Sequence, residues 1–189
     1  MLITNVNVYG LSESITASRF PKDVDNLSQS FNLEVDKTSK LVYSDKVDTL
    51  TAFKLSQADT GSGHDCFLKG IIVQFNIKYK QYWSRQVQRY HFIDFVSSQS
   101  TMHKIQDMGG NLPKVGQEML DQYKQGKIDI DMLMNFIPMG LELWGRMTTN
   151  YLQLKTIYKQ RRNHKSKEWQ YFCDWIEHLP FSKMITGLE

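Results

Sequence analysis

The pattern of apolar and polar residues predicts strands at three places in the chain. Residues 2–9 alternate with a period of two, which is typical of a strand with one buried face. Residues 73–77 repeat this alternation after the glycine-rich stretch 61–63, whose permissive backbone allows a turn. Residues 92–100 begin apolar and become rich in serine, which indicates a strand that leads into a loop.

Apolar residues at helical spacing predict more helices than strands. The predicted helices cover residues 13–20, 47–58, 79–89, 114–123, 129–136, 148–162 and 166–177. Between and after them we expect a polar surface excursion over 21–45, a turn over 108–111 and a short tail after Pro180. A few strands among many helices favour the α+β class, and 189 residues are most economically one domain spanning 1–189.

The composition is that of an ordinary globular protein, and it excludes several kinds of site. Lys and Arg outnumber Asp and Glu by only 23 to 20, so the net charge gives no reason to expect nucleic-acid binding. Cys66 and Cys173 are too few for a disulfide framework, and the dispersed histidines form no metal-binding motif. Without a signal peptide or a long apolar run, we expect a cytoplasmic protein with reduced thiols, no metal and no membrane association.

Positive charge is concentrated late in the chain. Residues 155–167 contain six lysines and arginines and no acidic residue. Such a run is typical of a solvated helix face, and it also suits an anion pocket for a nucleotide. An RNA- or DNA-binding face is a further hypothesis, since phosphate contacts come mainly from lysine and arginine.

Two distant segments carry a family resemblance. Residues 63–91 combine a Gly-His turn, an alternating strand, an Arg-Gln pair on a helix and the tripeptide Arg89-Tyr90-His91. Residues 138–161 begin with a proline, continue through Thr-Thr-Asn and end a leucine-rich helix with an arginine. In order and register, both segments resemble the flavin-dependent thymidylate synthases, whose signature is Arg-His-Arg.

The resemblance implies a fold, an activity and an assembly. The expected fold is α+β, a small sheet with flanking helices, assembled as a homotetramer with active sites at the subunit interfaces. The implied activity is the FAD-dependent transfer of a one-carbon unit to C5 of a pyrimidine deoxynucleotide, either dUMP or a variant substrate. FAD is the implied cofactor, with NADPH and methylenetetrahydrofolate as implied co-substrates.

The same resemblance assigns the site residues position by position. Arg161 matches the arginine that touches and activates the uracil, which makes it the implied catalytic residue. The implied substrate-binding residues are Gln86, Arg89, Ser97, Ser98, Gln99 and Ser100. The implied cofactor-binding residues are His64, Cys66, Arg89, Tyr90, His91 and Asn150.

The chain departs from the family at several of its cationic positions. Residues 97–103 lack the arginine that holds the nucleotide phosphate, a second phosphate arginine falls on Met134, and an FAD-contacting arginine falls on Leu152. Each lost charge-assisted hydrogen bond is worth about 1.5 to 3 kcal/mol. An alternative therefore remains open, namely a catalytically inactive homologue that binds a nucleotide or a protein partner.

Three groups of residues also have purely structural interpretations. His64 follows a glycine and suits a turn histidine that bonds to backbone, while His91 suits a core histidine. The aromatic residues within 169–175 are expected in the core or in a subunit interface.

Overall fold

An antiparallel sheet organises the part of the chain that can be described. The computed structural model describes residues 1–21, 34–35, 41–42 and 46–187. In these residues the main sheet has the strand order β1-β4-β6-β5, and β2 pairs with β3 separately. The strands are β1 Leu2–Tyr9, β2 Glu34–Val35, β3 Leu41–Val42, β4 Ile72–Lys80, β5 Ile93–Ser98 and β6 Glu142–Asn150.

Helices flank this sheet, so the α+β prediction is confirmed. They are α1 Leu11–Ala17, α2 Lys46–Ser56, α3 Gln81–Val87, α4 Thr101–Lys104, α5 Lys114–Lys124, α6 Ile130–Met134, α7 Tyr151–Arg161, α8 Lys167–Glu177 and α9 Lys183–Thr186. Two short 3-10 helices cover Cys66–Gly70 and Ile105–Asn111. Among the described residues, no helix is both long enough and apolar enough to span a bilayer.

The central strand β4 shows why the sequence pattern is a reliable signal here. Every second residue of β4 is buried, from Val73 to Tyr79, while the residues between them are only half buried. The buried side chains pack against α8, where Phe75 lies 6.0 Å from Phe172 and 4.6 Å from Trp175 between ring centroids. One face of the sheet therefore forms the core together with the helices.

The opposite face of the sheet is polar at its centre. The guanidinium of Arg146 on β6 donates to Asn76 Oδ1 at 3.1 Å and to Gln74 Oε1 at 3.3 Å on β4. It also donates to the carbonyl of Asn5 at 2.9 Å, where β1 has a bulge. These hydrogen bonds satisfy the guanidinium of Arg146, which reaches from β6 across β4 to β1.

β6 is the strand of the main sheet that the sequence patterns failed to predict. Residues 148–150 were expected to begin a helix, but they complete β6, and α7 begins at Tyr151. The alternation in β6 is hidden because its central inward position is Gly145, which looks like a turn residue. The glycine is required by packing, since a Cβ there would lie 2.9 Å from Phe95 Cε1 and 3.2 Å from Tyr79 Cε1.

Several boundaries also differ from the predictions. α3 begins at Gln81 rather than at 79, because Tyr79 and Lys80 continue the pairing of β4 with β6. The predicted turn at 108–111 lies in a 3-10 helix, and the predicted tail after Pro180 contains α9 with Met184 and Ile185 buried. Most of the surface excursion predicted for 21–45 lies outside the described residues.

A buried ion pair ties α7 to the turn that precedes β4. Lys155 Nζ lies 2.7 Å from Asp65 Oδ2 and donates to the carbonyl of Ala58 at 2.6 Å. Asp65 is only 1% exposed, and its other carboxylate oxygen has no partner among the described residues. A buried carboxylate of this kind depends on its one cation.

We expect the K155M variant to be strongly destabilised, because it leaves the Asp65 carboxylate buried without its counter-charge. The free energy of unfolding should fall by about 3 kcal/mol, as measured by urea denaturation. The matched control is K159M, which removes an exposed lysine from the same helix. Equal stability of the two variants would contradict the importance of this ion pair.

Candidate functional site

An arginine in contact with two aromatic rings lies where the two family-like segments meet. Arg161, the last residue of α7, donates through Nε to the hydroxyl of Tyr90 at 2.7 Å. Its guanidinium carbon lies 4.8 Å from the ring centroid of Trp169 and 5.6 Å from that of Tyr90. These distances are typical of cation–π contacts, so three interactions restrain one side chain.

Two glutamines extend this arrangement, which we call the Arg161 cluster: Gln86, Tyr90, Gln160, Arg161 and Trp169. Trp169 Nε1 donates to Gln86 Oε1 at 2.7 Å, and the hydroxyl of Tyr90 donates to Gln160 Oε1 at 3.0 Å. Because the indole N–H can only donate, the oxygen of Gln86 must face it. The amide nitrogen of Gln86 is then left as a donor for a ligand.

The register of the sheet explains why these residues meet. β4 and β6 are antiparallel, with Ile72 opposite Asn150 and Lys80 opposite Glu142, so α3 and α7 start at opposite ends of the sheet. The chain after α3 returns to Ile93, which pairs with Thr149 beside the start of α7. The two helices therefore run in opposite directions along the buried face, and the ends of both meet near Trp169.

The surroundings of Arg161 are positively charged. The imidazole of His164 accepts a hydrogen bond from the backbone N–H of Ser166 at 3.1 Å. Desolvation lowers the pKa of His164, and the neighbouring charges of Arg161 and Lys165 lower it further. A neutral histidine beside unneutralised cations is consistent with a local potential that favours an anion.

Two of the five remaining cations in the basic run at 155–167 have acidic partners among the described residues. Arg162 Nη1 pairs with Asp174, and its Nη2 lies 3.3 Å from Glu177 Oε1. Lys155 is paired with Asp65, whereas Lys159, Lys165 and Lys167 are exposed. In contrast to Arg162, the terminal nitrogens of Arg161 have no partner in the described part of the chain.

The rest of the signature-like tripeptide lies in the exposed turn between α3 and β5. Arg89 and His91 are both exposed, and the structural interpretation of His91 as a core histidine is wrong. The side chain of Arg89 has no hydrogen-bond or ion-pair partner among the described residues, and Arg89 directly precedes Tyr90 in the chain. Arg89 is therefore available to a ligand or to another subunit.

Residues 97–100 lie at the far edge of the sheet. Gln99 and Trp144 make two hydrogen bonds. The backbone N–H of Gln99 donates to the carbonyl of Trp144 at 2.7 Å, and the backbone N–H of Trp144 donates to Gln99 Oε1 at 3.3 Å. The Ser100 hydroxyl caps α4 by accepting from the backbone N–H of His103 at 3.4 Å. Within the described residues, no hydrogen bond, ion pair or ring contact joins Ser97, Ser98, Gln99 or Ser100 to the Arg161 cluster.

Asn150 borders a small cavity at the other end of α7. It caps the helix, since its Oδ1 accepts from the backbone N–H of Gln153 at 2.8 Å. The cavity has a volume of about 240 Å³, and its lining includes Lys69, Phe92 and Leu152. Lys69 therefore brings a cation to the cavity that Asn150 borders.

His64 and Cys66 line a different cavity. Both are exposed, and with Phe67 they border a space of about 680 Å³ that is also lined by α1 and α2. Among the residues implied for the cofactor, His64 and Cys66 therefore line one cavity and Asn150 lines another. No group of three or more histidine, cysteine or acidic side chains in the described residues is placed to hold a metal ion.

Sequence reasoning predicted Gln86, Tyr90 and Arg161 as site residues but missed the role of Trp169. The expectation that Trp169 belongs to the core is confirmed, since it is fully buried and packs on Trp83 at 5.2 Å between ring centroids. Its contacts with Arg161 and Gln86 depend on tertiary packing, so no local pattern could have revealed them. Gln160 was missed for the same reason.

Comparison with known proteins shows the fold. No protein-family model matches the sequence, and no curated protein matches it. The structure is similar to a flavin-dependent thymidylate synthase from Helicobacter pylori complexed with FAD and dUMP, with a TM-score of 0.75 and 12% identity over 98% of this chain and 97% of that one. A second structure of that enzyme with FAD and dUMP gives a TM-score of 0.74 at 13% identity, with the same coverage of both chains.

A related enzyme from another organism is also similar. It is a UMP/dUMP methylase from Streptomyces cacaoi bound with 5-Br dUMP, with a TM-score of 0.69 and 11% identity over 99% of this chain and 96% of that one. The likeness covers nearly the whole chain in every case. The chain therefore has the fold of the flavin-dependent thymidylate synthases.

Two variants of Asn150 test its capping role. We expect N150A to lower the free energy of unfolding by about 1 kcal/mol, because α7 loses its side-chain cap. N150D keeps an oxygen acceptor at the helix N-terminus, so its stability should stay close to that of the wild type. Urea denaturation measures both, and equal destabilisation of the two variants would rule out the cap as the reason.

Proposed function

We propose that the protein is a flavin-dependent thymidylate synthase-like enzyme that transfers a one-carbon unit to C5 of a pyrimidine deoxynucleotide, dUMP or a variant substrate. The observation that carries this proposal is the geometry of Arg161. Its guanidinium is fixed through Nε and through two aromatic rings, while its terminal nitrogens are unpaired among the described residues. The shared fold supports the proposal, because the similar structures are named as holding dUMP or 5-Br dUMP.

The chemistry of the Arg161 cluster suits a pyrimidine with carbonyl oxygens. Arg161 offers two terminal nitrogens, and Gln86 offers its amide nitrogen, so the free polar groups of these two residues are hydrogen-bond donors. A guanidinium beside a uracil carbonyl stabilises the negative charge that develops there when C5 reacts. In this proposal Arg161 is the catalytic residue, and Gln86 and Arg89 are further nucleotide contacts.

FAD is the proposed cofactor. The free amide nitrogen of Asn150 and the ammonium of Lys69 border one cavity, and they would hold an acceptor group of FAD there. His64, Cys66, Tyr90 and His91 remain the other proposed cofactor contacts. The redox chemistry comes from FAD when it is bound, with NADPH as reductant and methylenetetrahydrofolate as carbon donor, while the chain's residues bind and orient the reactants.

A homotetramer is part of the proposal because a single chain leaves the nucleotide contacts separated. Ser97, Ser98, Gln99 and Ser100 have no contact with the Arg161 cluster inside the described chain, whereas Arg89 is exposed beside it. A site completed by another copy would bring the two groups together. Light scattering tests this point directly, and a stable monomer would contradict it.

The alternative function is a catalytically inactive homologue that binds a nucleotide or a protein partner. The observation that favours it is the loss of ligand-binding cations. Met134 stands where the family has a phosphate arginine, Leu152 stands where it has an FAD-contacting arginine, and residues 97–103 contain no arginine. The nucleic-acid hypothesis is less well supported, because Lys155 and Arg162 in the basic run are already paired with acidic side chains.

The first prediction of the proposal concerns FAD. The purified protein should absorb between about 350 and 500 nm, or should retain this absorbance after added FAD has been removed by gel filtration, because a bound flavin stays with the protein. A colourless protein that takes up no added FAD would contradict the flavin-dependent activity. Flavin and dUMP binding without methylated product, and without rescue of a thymidine-requiring strain, would favour the inactive homologue.

The second prediction concerns Arg161. We expect R161A to weaken dUMP binding at least about tenfold in calorimetric titration, because it removes charge-assisted hydrogen bonds to the pyrimidine. The control is K159A, which removes an exposed charge of the same sign from the same helix and should change the affinity less than about twofold. Equal losses in the two variants would assign the effect to general electrostatics.

A further inference from the structure

The hydroxyl of Tyr90 stands at the centre of a short chain of hydrogen bonds. It accepts from Arg161 Nε at 2.7 Å and donates to Gln160 Oε1 at 3.0 Å. A phenol can accept and donate at the same time, so both bonds are satisfied together. The ring of Tyr90 is itself held against Trp169, at 6.0 Å between centroids and an interplanar angle of 72°.

We propose that Tyr90 is a positioning residue that holds the guanidinium of Arg161 in the orientation required for the nucleotide. This inference rests on the function proposed above and deepens it, because it assigns Tyr90 a partner within the chain in addition to the cofactor contact proposed there. Tyr90 occupies the central position of the signature-like tripeptide, where the family has histidine. The substitution therefore has a defined structural consequence at Arg161.

The physical reason is the geometry of arginine. An arginine at a helix end loses considerable rotamer freedom when it binds a ligand, which weakens binding unless the side chain is already ordered. The hydrogen bond that Arg161 Nε donates to Tyr90 fixes the Nε edge of the planar guanidinium. The ring of Trp169, 4.8 Å from the guanidinium carbon, fixes the face of the guanidinium. What remains is the edge formed by the two terminal nitrogens, which can bind two acceptor atoms at once.

Gln86 contributes to the same orientation through Trp169. The indole N–H of Trp169 donates to Gln86 Oε1 at 2.7 Å. The ring that contacts the Arg161 guanidinium is therefore itself fixed. α3, the turn after it, α7 and α8 each supply one part of this support. Tyr90 is the part that can be tested by removing one atom, because the Y90F variant keeps the ring and loses only the hydroxyl.

The first arm of the test needs no ligand. The unfolding equilibrium is measured for the wild type, Y90F, R161K and the double variant, since lysine has no donor at the position of Nε. We expect Y90F to reduce the folding equilibrium constant about fivefold when Arg161 is present, and less than about twofold in the R161K background. Y171F, which alters an exposed tyrosine on α8, is the control and should have little effect.

The second arm measures dUMP affinity by calorimetry in the same variants. We expect Y90F to weaken binding about five- to tenfold when Arg161 is present and to add less than about twofold to the loss in R161K. Y171F should bind as the wild type does. A role of Tyr90 in stability alone would lower the folding equilibrium constant and leave the dUMP affinity of the folded protein unchanged.

The outcomes distinguish this inference from the proposed function. Additive effects of Y90F and R161K on stability would overturn the positioning role, even if dUMP binds normally. Coupled effects on stability with an unchanged dUMP affinity in Y90F would also overturn it. Failure of the wild type to bind dUMP would overturn dUMP as the substrate of the proposed function and with it the role of Tyr90 toward that nucleotide, while the first arm would still decide whether Tyr90 holds Arg161.

Discussion

The antiparallel pairing of β4 with β6 is the constraint on which the rest of the structure depends. It sets Ile72 opposite Asn150 and Lys80 opposite Glu142, and so it fixes the opposite ends at which α3 and α7 begin. Because both helices then return over the buried face, Tyr90 and Arg161 come within hydrogen-bond distance although they are 71 residues apart in the chain. The candidate site is thus a consequence of strand register.

The sequence predicted the elements whose signals are local. β4 alternates clearly, the strand predicted over 2–9 forms as β1, and the helix predicted over 148–162 forms as α7, although it begins at Tyr151. β6 was missed because Gly145 interrupts its alternation, and this glycine is explained only by the close approach of Phe95 and Tyr79. Patterns along the chain cannot show which residue a neighbouring strand will crowd.

The same distinction applies to the candidate site. Gln86, Tyr90 and Arg161 were found through register with a family, and the structure brings these three together around Trp169. Their connection through a buried tryptophan needed the tertiary packing of α8. The basic run also had to be seen in three dimensions, since acidic partners from distant segments neutralise Lys155 and Arg162 and leave the terminal nitrogens of Arg161 unpaired in the described region.

The most direct measurement is a crystal structure of the protein grown with FAD and dUMP. The account predicts a pyrimidine carbonyl oxygen within hydrogen-bond distance of the terminal nitrogens of Arg161, with Arg161 Nε still bonded to Tyr90. A nucleotide bound elsewhere, with Arg161 making no contact to it in any subunit of the assembly, would contradict the account.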